Sequence, residues 1–254
     1  EIYRIVKQSE IANPYSWDEP GRIKAINEGL EGSQTWVPFR KGDPEGNKWI
    51  DDELLFINWS KENVEYLSNA PEARWQGTTF FFTEGVTYTL LGNHTSLKAK
   101  LQPKCVFDAG ASRLTPVYKP LSVYSFLAVL NSDLFSFIIK KFIKNTAAFE
   151  ISDLRMSPMV IPDKDISSEL EILAKNAIEA KELFFKKTQP SKDLVDFCQK
   201  LAEKQKSAPE YLRPSKQLKL ITTADDCLHV IELAVHWAAE RLYGVEGYGP
   251  FNEF

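Results

Sequence analysis

Residues that commonly bind metals or form disulfides are scarce in this chain. Its 254 residues include only three cysteines and three histidines. The cysteines are odd in number, lack the spacing of metal ligands and follow no signal peptide, which predicts reduced thiols in a cytoplasmic protein. The histidines are too scattered to suggest a metal site, and we expect His236 to serve in packing. The only methionines are Met156 and Met159, and the first residue is Glu1, so we expect an excised part of a longer protein.

The chain also lacks an uninterrupted apolar run long enough to span a bilayer. The most apolar segment, Tyr124–Ile143, is broken by Asn131, Ser132 and Asp133 and ends in lysines. A membrane-spanning helix needs about 20 consecutive apolar residues. The segment therefore predicts a buried helix whose basic last turn complements the helix dipole, and no membrane partner.

Positive charge is in deficit overall, with a net charge of −4. The deficit is uneven, because residues 74–155 carry an excess of five positive charges while the remainder is acidic. A domain with this distribution can present one basic face to nucleic acid. Ordinary solvated charge is the alternative.

Hydrophobic patterning divides the chain into two parts. Dense or alternating apolar residues predict short strands at residues 2–6, 54–59, 78–83, 86–91 and 106–108. From Ile166 onward, helical spacing predicts three helices, at about residues 166–188, 191–206 and 224–243. The predicted fold class is α/β (α+β), with a mixed-sheet domain over residues 1–163 and an all-helical region over residues 164–254.

Cationic side chains cluster on a segment bounded by tryptophans. Arg40 and Lys41 follow Trp36–Phe39, and Lys48 precedes Trp49. Loop lysines and arginines can reach DNA phosphates, and arginine can read a guanine edge. The sequence predicts a Gly/Pro-rich loop that contacts DNA, or else a surface loop that is merely anchored by its aromatic residues.

Three further signatures follow this segment in a fixed order. They are Phe82-Thr83-Glu84-Gly85-Val86-Thr87-Tyr88, Val106-Phe107-Asp108-Ala109-Gly110, and Leu130-Asn131-Ser132 leading to Pro158-Met159-Val160-Ile161-Pro162. Gly85 suits a turn, and Glu84 either belongs to a simple hairpin or accepts from a cytosine amino group. We expect Asp108 to pin its loop by accepting hydrogen bonds.

Together, the four signatures resemble the target-recognition region of adenine-specific DNA methyltransferases. The closest match is the C-terminal specificity region of PglX-like enzymes of BREX phage defence and of type IIG restriction–modification enzymes, with a TaqI-like specificity domain. The resemblance covers residues 30–165. The family carries arginine where this chain has Thr83, so no DNA contact is expected from that position.

The resemblance implies a DNA target-recognition domain followed by a helical spacer and docking region. Its partners would be double-stranded DNA and the methyltransferase domain of the same protein. The intact enzyme would transfer a methyl group from S-adenosylmethionine to adenine N6 in restriction–modification or phage defence, whereas this part would bind no cofactor. The residues that we expect to contact DNA are Arg40, Lys41, Lys48, Arg74, Lys98, Lys100, Arg113 and Lys119.

Catalytic signatures are missing from the sequence. Amino-methyltransferases use Asn/Asp-Pro-Pro-aromatic to bind the flipped base, and Asn13-Pro14-Tyr15 has one proline too few. Glu179-Ala180-Lys181 mimics part of a nuclease signature but falls within a predicted helix, with no metal-binding aspartate beside it. Any enzymatic activity is therefore expected of the parent protein.

Two other functions remain open from the sequence. The chain could be a protein-interaction module that docks a partner subunit or a phage inhibitor without binding DNA, which its net acidity favours. A complete small enzyme would need a cofactor site that the sequence does not contain. Salt dependence separates the first alternative from DNA recognition, because phosphate contacts weaken steeply with salt.

Overall fold

The fold is α+β, with two small sheets and a helical C-terminal region. The computed structural model describes residues 5–43, 46–52, 55–73, 75–89, 96–118, 121–144, 146, 148–215 and 220–251. The strands are β1 (Trp36–Arg40), β2 (Leu55–Asn58), β3 (Gly85–Thr89), β4 (Ala99–Gln102), β5 (Val106–Phe107) and β6 (Ala111–Leu114). The helices are α1 (Glu19–Glu28), α2 (Lys61–Asn69), α3 (Val123–Leu130), α4 (Asp133–Ile138), α5 (Ile151–Met156), α6 (Lys164–Lys186), α7 (Lys192–Gln205) and α8 (Ala224–Tyr243).

The three long C-terminal helices confirm the predicted helical region. Each begins at a side-chain cap, because the side chains of Asp163, Ser191 and Thr223 accept hydrogen bonds from the first turns of α6, α7 and α8. Gly244 follows α8 with a φ of 68°, a left-handed conformation suited to glycine. None of the helices within the described residues is both long and apolar enough to cross a membrane.

The first sheet has the strand order β2-β1-β5. Strand β1 pairs antiparallel with β2 and parallel with β5. Its core is aromatic: Trp59 is fully buried, stacks on Trp75 and meets the edges of Phe81 and Phe82. Trp59 also donates its indole N–H to the Ala25 carbonyl, which fixes α1 against this sheet.

The second sheet has the order β4-β3-β6, with both pairings antiparallel. Val86 and Tyr88 point from β3 into the main hydrophobic core. Because side chains alternate along a strand, Thr87 and Thr89 point to the opposite face, and both are buried. The second face of this sheet is therefore polar and enclosed.

One hydrophobic core spans both of the predicted regions. It contains residues of the second sheet, of α3 and of α6, α7 and α8, among them Trp49, Val86, Leu127, Ala177 and Val235. The first sheet, α1 and α2 enclose a separate core around Trp59. The position predicted as a boundary, residue 163, is the N-cap of α6, and hydrophobic packing continues across it.

Two local predictions were wrong. The run of phenylalanines at residues 78–83 is not a strand but a short 3₁₀ helix, Thr78–Phe80, followed by a turn with Phe82 at φ 59°. Its apolar character reflects the burial of Phe81 and Phe82 rather than strand pairing. The helix predicted at Tyr124–Ile143 is divided into α3, α4 and a π-helical turn at Ile139–Ile143.

Other local structure was missed. Strand β1 was expected to be part of a loop, and no strand or helix was predicted for β4, β6, α1 or α2. The strand predicted at residues 2–6 falls largely outside the described residues.

Candidate nucleic-acid interface

The segment from Lys41 to Asp52 leaves β1 and returns along the edge of the second sheet. We call it the recognition loop, and the structure describes residues 41–43 and 46–52 of it. Trp49 pairs with β4: its N–H donates to the Ala99 carbonyl at 2.9 Å, and its carbonyl accepts from Leu101 at 2.8 Å. The loop thus adds a short extra stretch of strand to the sheet.

The Trp49 side chain anchors the loop rather than facing solvent. It is 1% exposed, and its indole N–H donates to the Glu232 carboxylate of α8 at 2.8 Å. Its φ of 77° costs a non-glycine residue roughly 1–2 kcal/mol, so the surrounding contacts must compensate. Because the Trp49 side chain is buried in this conformation, it cannot stack on a displaced base.

A buried ion network ties the base of the loop to β4. The Lys100 ammonium lies 2.9 Å from Asp43 and 2.5 Å from Asp51, and Lys100 is 2% exposed. Asp51 also pairs with the Nε atom of Arg40 at 3.3 Å. Burial would raise the pKa of Asp43, but the backbone N–H of Asn47 and the Lys100 ammonium outweigh it and lower the pKa to about 2.

Arg113, another residue expected to contact DNA, is directed inward. Its guanidinium donates to the carbonyls of Phe80, Thr83 and Glu84 and lies over the Phe80 ring. Burial lowers the pKa of Arg113 to about 10, which leaves it charged at neutral pH. Arg113 therefore holds the turn before β3, and an added Cβ at Gly85 would lie 2.7 Å from it.

The described candidates fall into two groups. Arg40, Lys100 and Arg113 have their charged groups engaged inside the protein, so the expectation that they contact DNA does not fit their surroundings. Lys41 is exposed, and Lys48 and Lys98 are partly exposed. The other two candidates, Arg74 and Lys119, lie outside the described residues.

The Leu-Asn-Ser signature is a structural junction. The Asn131 amide accepts from the Ala99 N–H at 2.8 Å and donates to the Ala99 carbonyl at 3.0 Å, so it pairs with β4 as a neighbouring strand would. Ser132 caps α4 by accepting from the Phe135 N–H. Lys48 donates to the Asn131 carbonyl at 3.1 Å. These bonds explain why the apolar helix is interrupted here.

Two other expected roles are settled by local contacts. Asp108 accepts from the N–H groups of Gly110 and Ala111 at 2.9 and 3.0 Å, which confirms that it pins its loop. Glu84 accepts from the Tyr15 hydroxyl at 3.3 Å. No group of side chains within the described ranges could hold a metal ion.

Residues of α6 and α8 next to the loop were not identified from the sequence. Glu232 binds Trp49, and the His236 ring accepts from the Asp133 N–H at 3.1 Å. Burial lowers the pKa of Lys181, and the nearby charges of Glu232, Lys98 and Asp43 also act on it. Helical spacing alone does not identify the partners of Glu232 and His236, which lie 183 and 103 residues away in the sequence.

Comparisons with known proteins leave the family of the chain open. No family model matches the sequence. No curated protein matches it either.

Proposed function

We propose that this chain is the DNA target-recognition module of a site-specific adenine-N6 DNA methyltransferase. The observation that carries the proposal is that the recognition loop is anchored at Asp43, Trp49 and Asp51. Lys41 lies two residues before Asp43, and Lys48 directly precedes Trp49. The same loop contains the first of the four signatures on which the family resemblance rests.

The anchoring favours a binding role for the loop. A loop that is already ordered loses little conformational entropy when it meets a partner, so more of the contact energy appears as affinity. In this loop, Asp43 and Asp51 bind Lys100, and Trp49 binds both β4 and α8. Lys41 is exposed beside this support, and the partly exposed Lys48 donates one of its three ammonium hydrogens to the Asn131 carbonyl, which leaves two for a phosphate.

Lys98 adds a third cation beside the loop. It lies directly before β4 and precedes Lys100 by two residues. Lys100 is buried with the acidic residues of the loop, whereas Lys98 is partly exposed. Lysines so placed could contact phosphates and fix the orientation of a duplex, while base edges supply the specificity.

In the intact enzyme, by the same resemblance, a methyltransferase domain of the same protein would bind S-adenosylmethionine and modify the flipped adenine. The present chain would select the site for restriction–modification or phage defence. Its helical region would act as the spacer and docking part.

The test is selection of bound sequences from random duplex DNA, with the affinity measured at several salt concentrations. Three phosphate contacts predict a slope of about −2.7 in log affinity against log salt, which is roughly a 40-fold loss between 50 and 200 mM. Enrichment of one short motif with this slope would support the proposal. No retention at the lowest salt would refute it.

Matched charge variants test the proposed surface. Lys41→Gln combined with Lys98→Gln removes two contacts and should reduce the magnitude of the slope by about 1.8. Lys192→Gln combined with Lys200→Gln removes two exposed lysines from α7 and should leave the slope unchanged. Equal effects of the two pairs would show that only the overall charge matters.

A protein-interaction module is the second candidate. It is favoured by a groove of about 310 Å³ whose lining combines apolar residues such as Leu121 and Ile161 with the charged Asp163 and Lys164. Val117 beside it is 96% exposed. Binding through the apolar part of this groove would depend on salt much less steeply than phosphate contacts do, so the same titration distinguishes it from DNA binding.

A further inference from the structure

Helix α8 directs one side chain at the recognition loop and a second, one turn further on, at the junction between α3 and α4. Glu232 accepts the indole N–H of Trp49 at 2.8 Å. His236 accepts the backbone N–H of Asp133 at 3.1 Å. Residues four apart lie on the same face of a helix, so a single face of α8 supplies both acceptors.

The two contacts are linked through Lys48, which connects the loop to the α3–α4 junction. Trp49 follows Lys48 directly, and the Lys48 ammonium donates to Asn131, two residues before Asp133. Trp49 is fixed on its other side by backbone pairing with β4. The loop is therefore held between β4 and α8, with the ion network of Asp43, Asp51 and Lys100 as its other anchor.

We propose that Glu232, supported by His236, is a positioning residue that holds the recognition loop in its DNA-contacting conformation. The inference rests on the proposed function, and it extends the recognition site into the helical region at residues 164–254. Glu232 acts through the Trp49 indole and does not itself touch DNA.

Removal of the Glu232 side chain has opposite predicted effects on DNA affinity, depending on whether its charge or its contact with Trp49 matters more. Loss of a negative charge near the lysines would by itself strengthen binding to a polyanion. Loss of the indole contact would release Lys48 and weaken binding. For Glu232→Ala we expect DNA affinity to fall by about tenfold, in line with the loss of one hydrogen bond to a charged group.

Glu232→Gln separates the charge from the hydrogen bond. The glutamine amide oxygen can still accept from Trp49, although the charge is gone. We expect this variant to bind DNA at least as tightly as the unmodified protein. Asp225→Ala serves as the matched control, because it removes an exposed carboxylate from the first turn of the same helix. It should leave affinity unchanged or slightly raised.

The second readout is hydrogen exchange of the backbone amides of residues 46–52, measured without DNA. The N–H of Trp49 donates to Ala99, and that of Asn47 donates to Asp43, so both amides should exchange slowly. We expect Glu232→Ala to accelerate their exchange by about tenfold or more, while Glu232→Gln and Asp225→Ala leave it unchanged.

The outcomes decide the inference independently of the proposed function. Unchanged exchange in Glu232→Ala, or DNA affinity that rises in Glu232→Ala, would overturn the positioning role. If the unmodified protein retains no DNA, the proposed function fails, and the exchange of residues 46–52 still decides whether α8 holds the loop. Faster exchange together with weaker DNA binding, both rescued by glutamine, is the result that we expect.

Discussion

Lys100→Met tests whether the ion network beneath the recognition loop is structural. Methionine has a similar length, but it leaves Asp43 and Asp51 without the ammonium that lies 2.9 and 2.5 Å from them. Loss of one partner from a buried ion pair costs about 3–5 kcal/mol, because the remaining charge is desolvated without compensation. The backbone N–H groups of Gly46 and Asn47 still bind Asp43, so we expect the lower end of that range.

Urea unfolding followed by circular dichroism measures this cost. With an m-value of about 3 kcal/mol per M, a loss of about 3 kcal/mol lowers the midpoint by about 1 M. Lys98→Met is the matched control, since Lys98 lies directly before β4 but is partly exposed and has no carboxylate within ion-pair distance among the described residues. It should change stability by less than about 0.5 kcal/mol. If Lys100→Met unfolds at the same midpoint as the control and instead loses DNA affinity, the structural role is wrong and Lys100 is a phosphate contact.

Three further perturbations follow from the same contacts. Asn131→Ala should lower the free energy of unfolding by about 1–3 kcal/mol in urea titration, because the buried Ala99 N–H loses its acceptor; an unchanged midpoint would show that another group pairs with it. Burial lowers the pKa of His236, so its neutral form is favoured in the folded state. The free energy of unfolding should be full above about pH 6.5 and decline as the pH falls toward the lowered folded pKa. His236→Gln should flatten that part of the plot of stability against pH. The lowered pKa of Asp43 predicts a contribution to stability that is present above about pH 4 and lost as the pH falls through about 2. Asp43→Asn should weaken this dependence of stability on pH. The same dependence in the variant and the unmodified protein would contradict the shift.

The histidine prediction depends on all the charges that face the ring. Asp133 and Glu232 favour the protonated form, whereas Lys48 and His229 oppose it, and burial dominates. A protonated imidazole has no lone pair at Nδ1 to accept the Asp133 N–H. Protonation in the folded state therefore opposes the burial of the ring and also breaks this hydrogen bond, so both effects couple the proton to folding.

The long helices could be predicted because their signals are local. Caps at Asp163, Ser191 and Thr223 and the apolar spacing of α6 to α8 lie within one turn or a few turns of each other. The short strands carried weaker signals. β4, with the sequence Ala-Lys-Leu-Gln, alternates over only four residues, and its polar residues Lys100 and Gln102 are buried, whereas an alternating pattern predicts that they are exposed.

The turn at residues 78–83 shows how burial can imitate a strand. Three consecutive phenylalanines predict an extended segment, yet Arg22 and Arg113 take up the carbonyls of this segment from two sides. The backbone polar groups are satisfied by guanidinium groups instead of by a neighbouring strand. Since Arg22 is more than 50 residues away in sequence, no local pattern indicates that arrangement.

The same limit applies to the candidate interface. A partly exposed lysine and a lysine that neutralises two buried carboxylates look alike in sequence, as Lys98 and Lys100 show two residues apart. What separates them is the path of the recognition loop, which brings Asp43 and Asp51 over β4. The loop also binds Glu232, 183 residues from Trp49 in the sequence. Because the main hydrophobic core joins the second sheet to α6, α7 and α8, the position of Glu232 depends on packing across the whole C-terminal region. A substitution that loosens α8 should therefore alter the recognition loop even where it touches none of the loop residues.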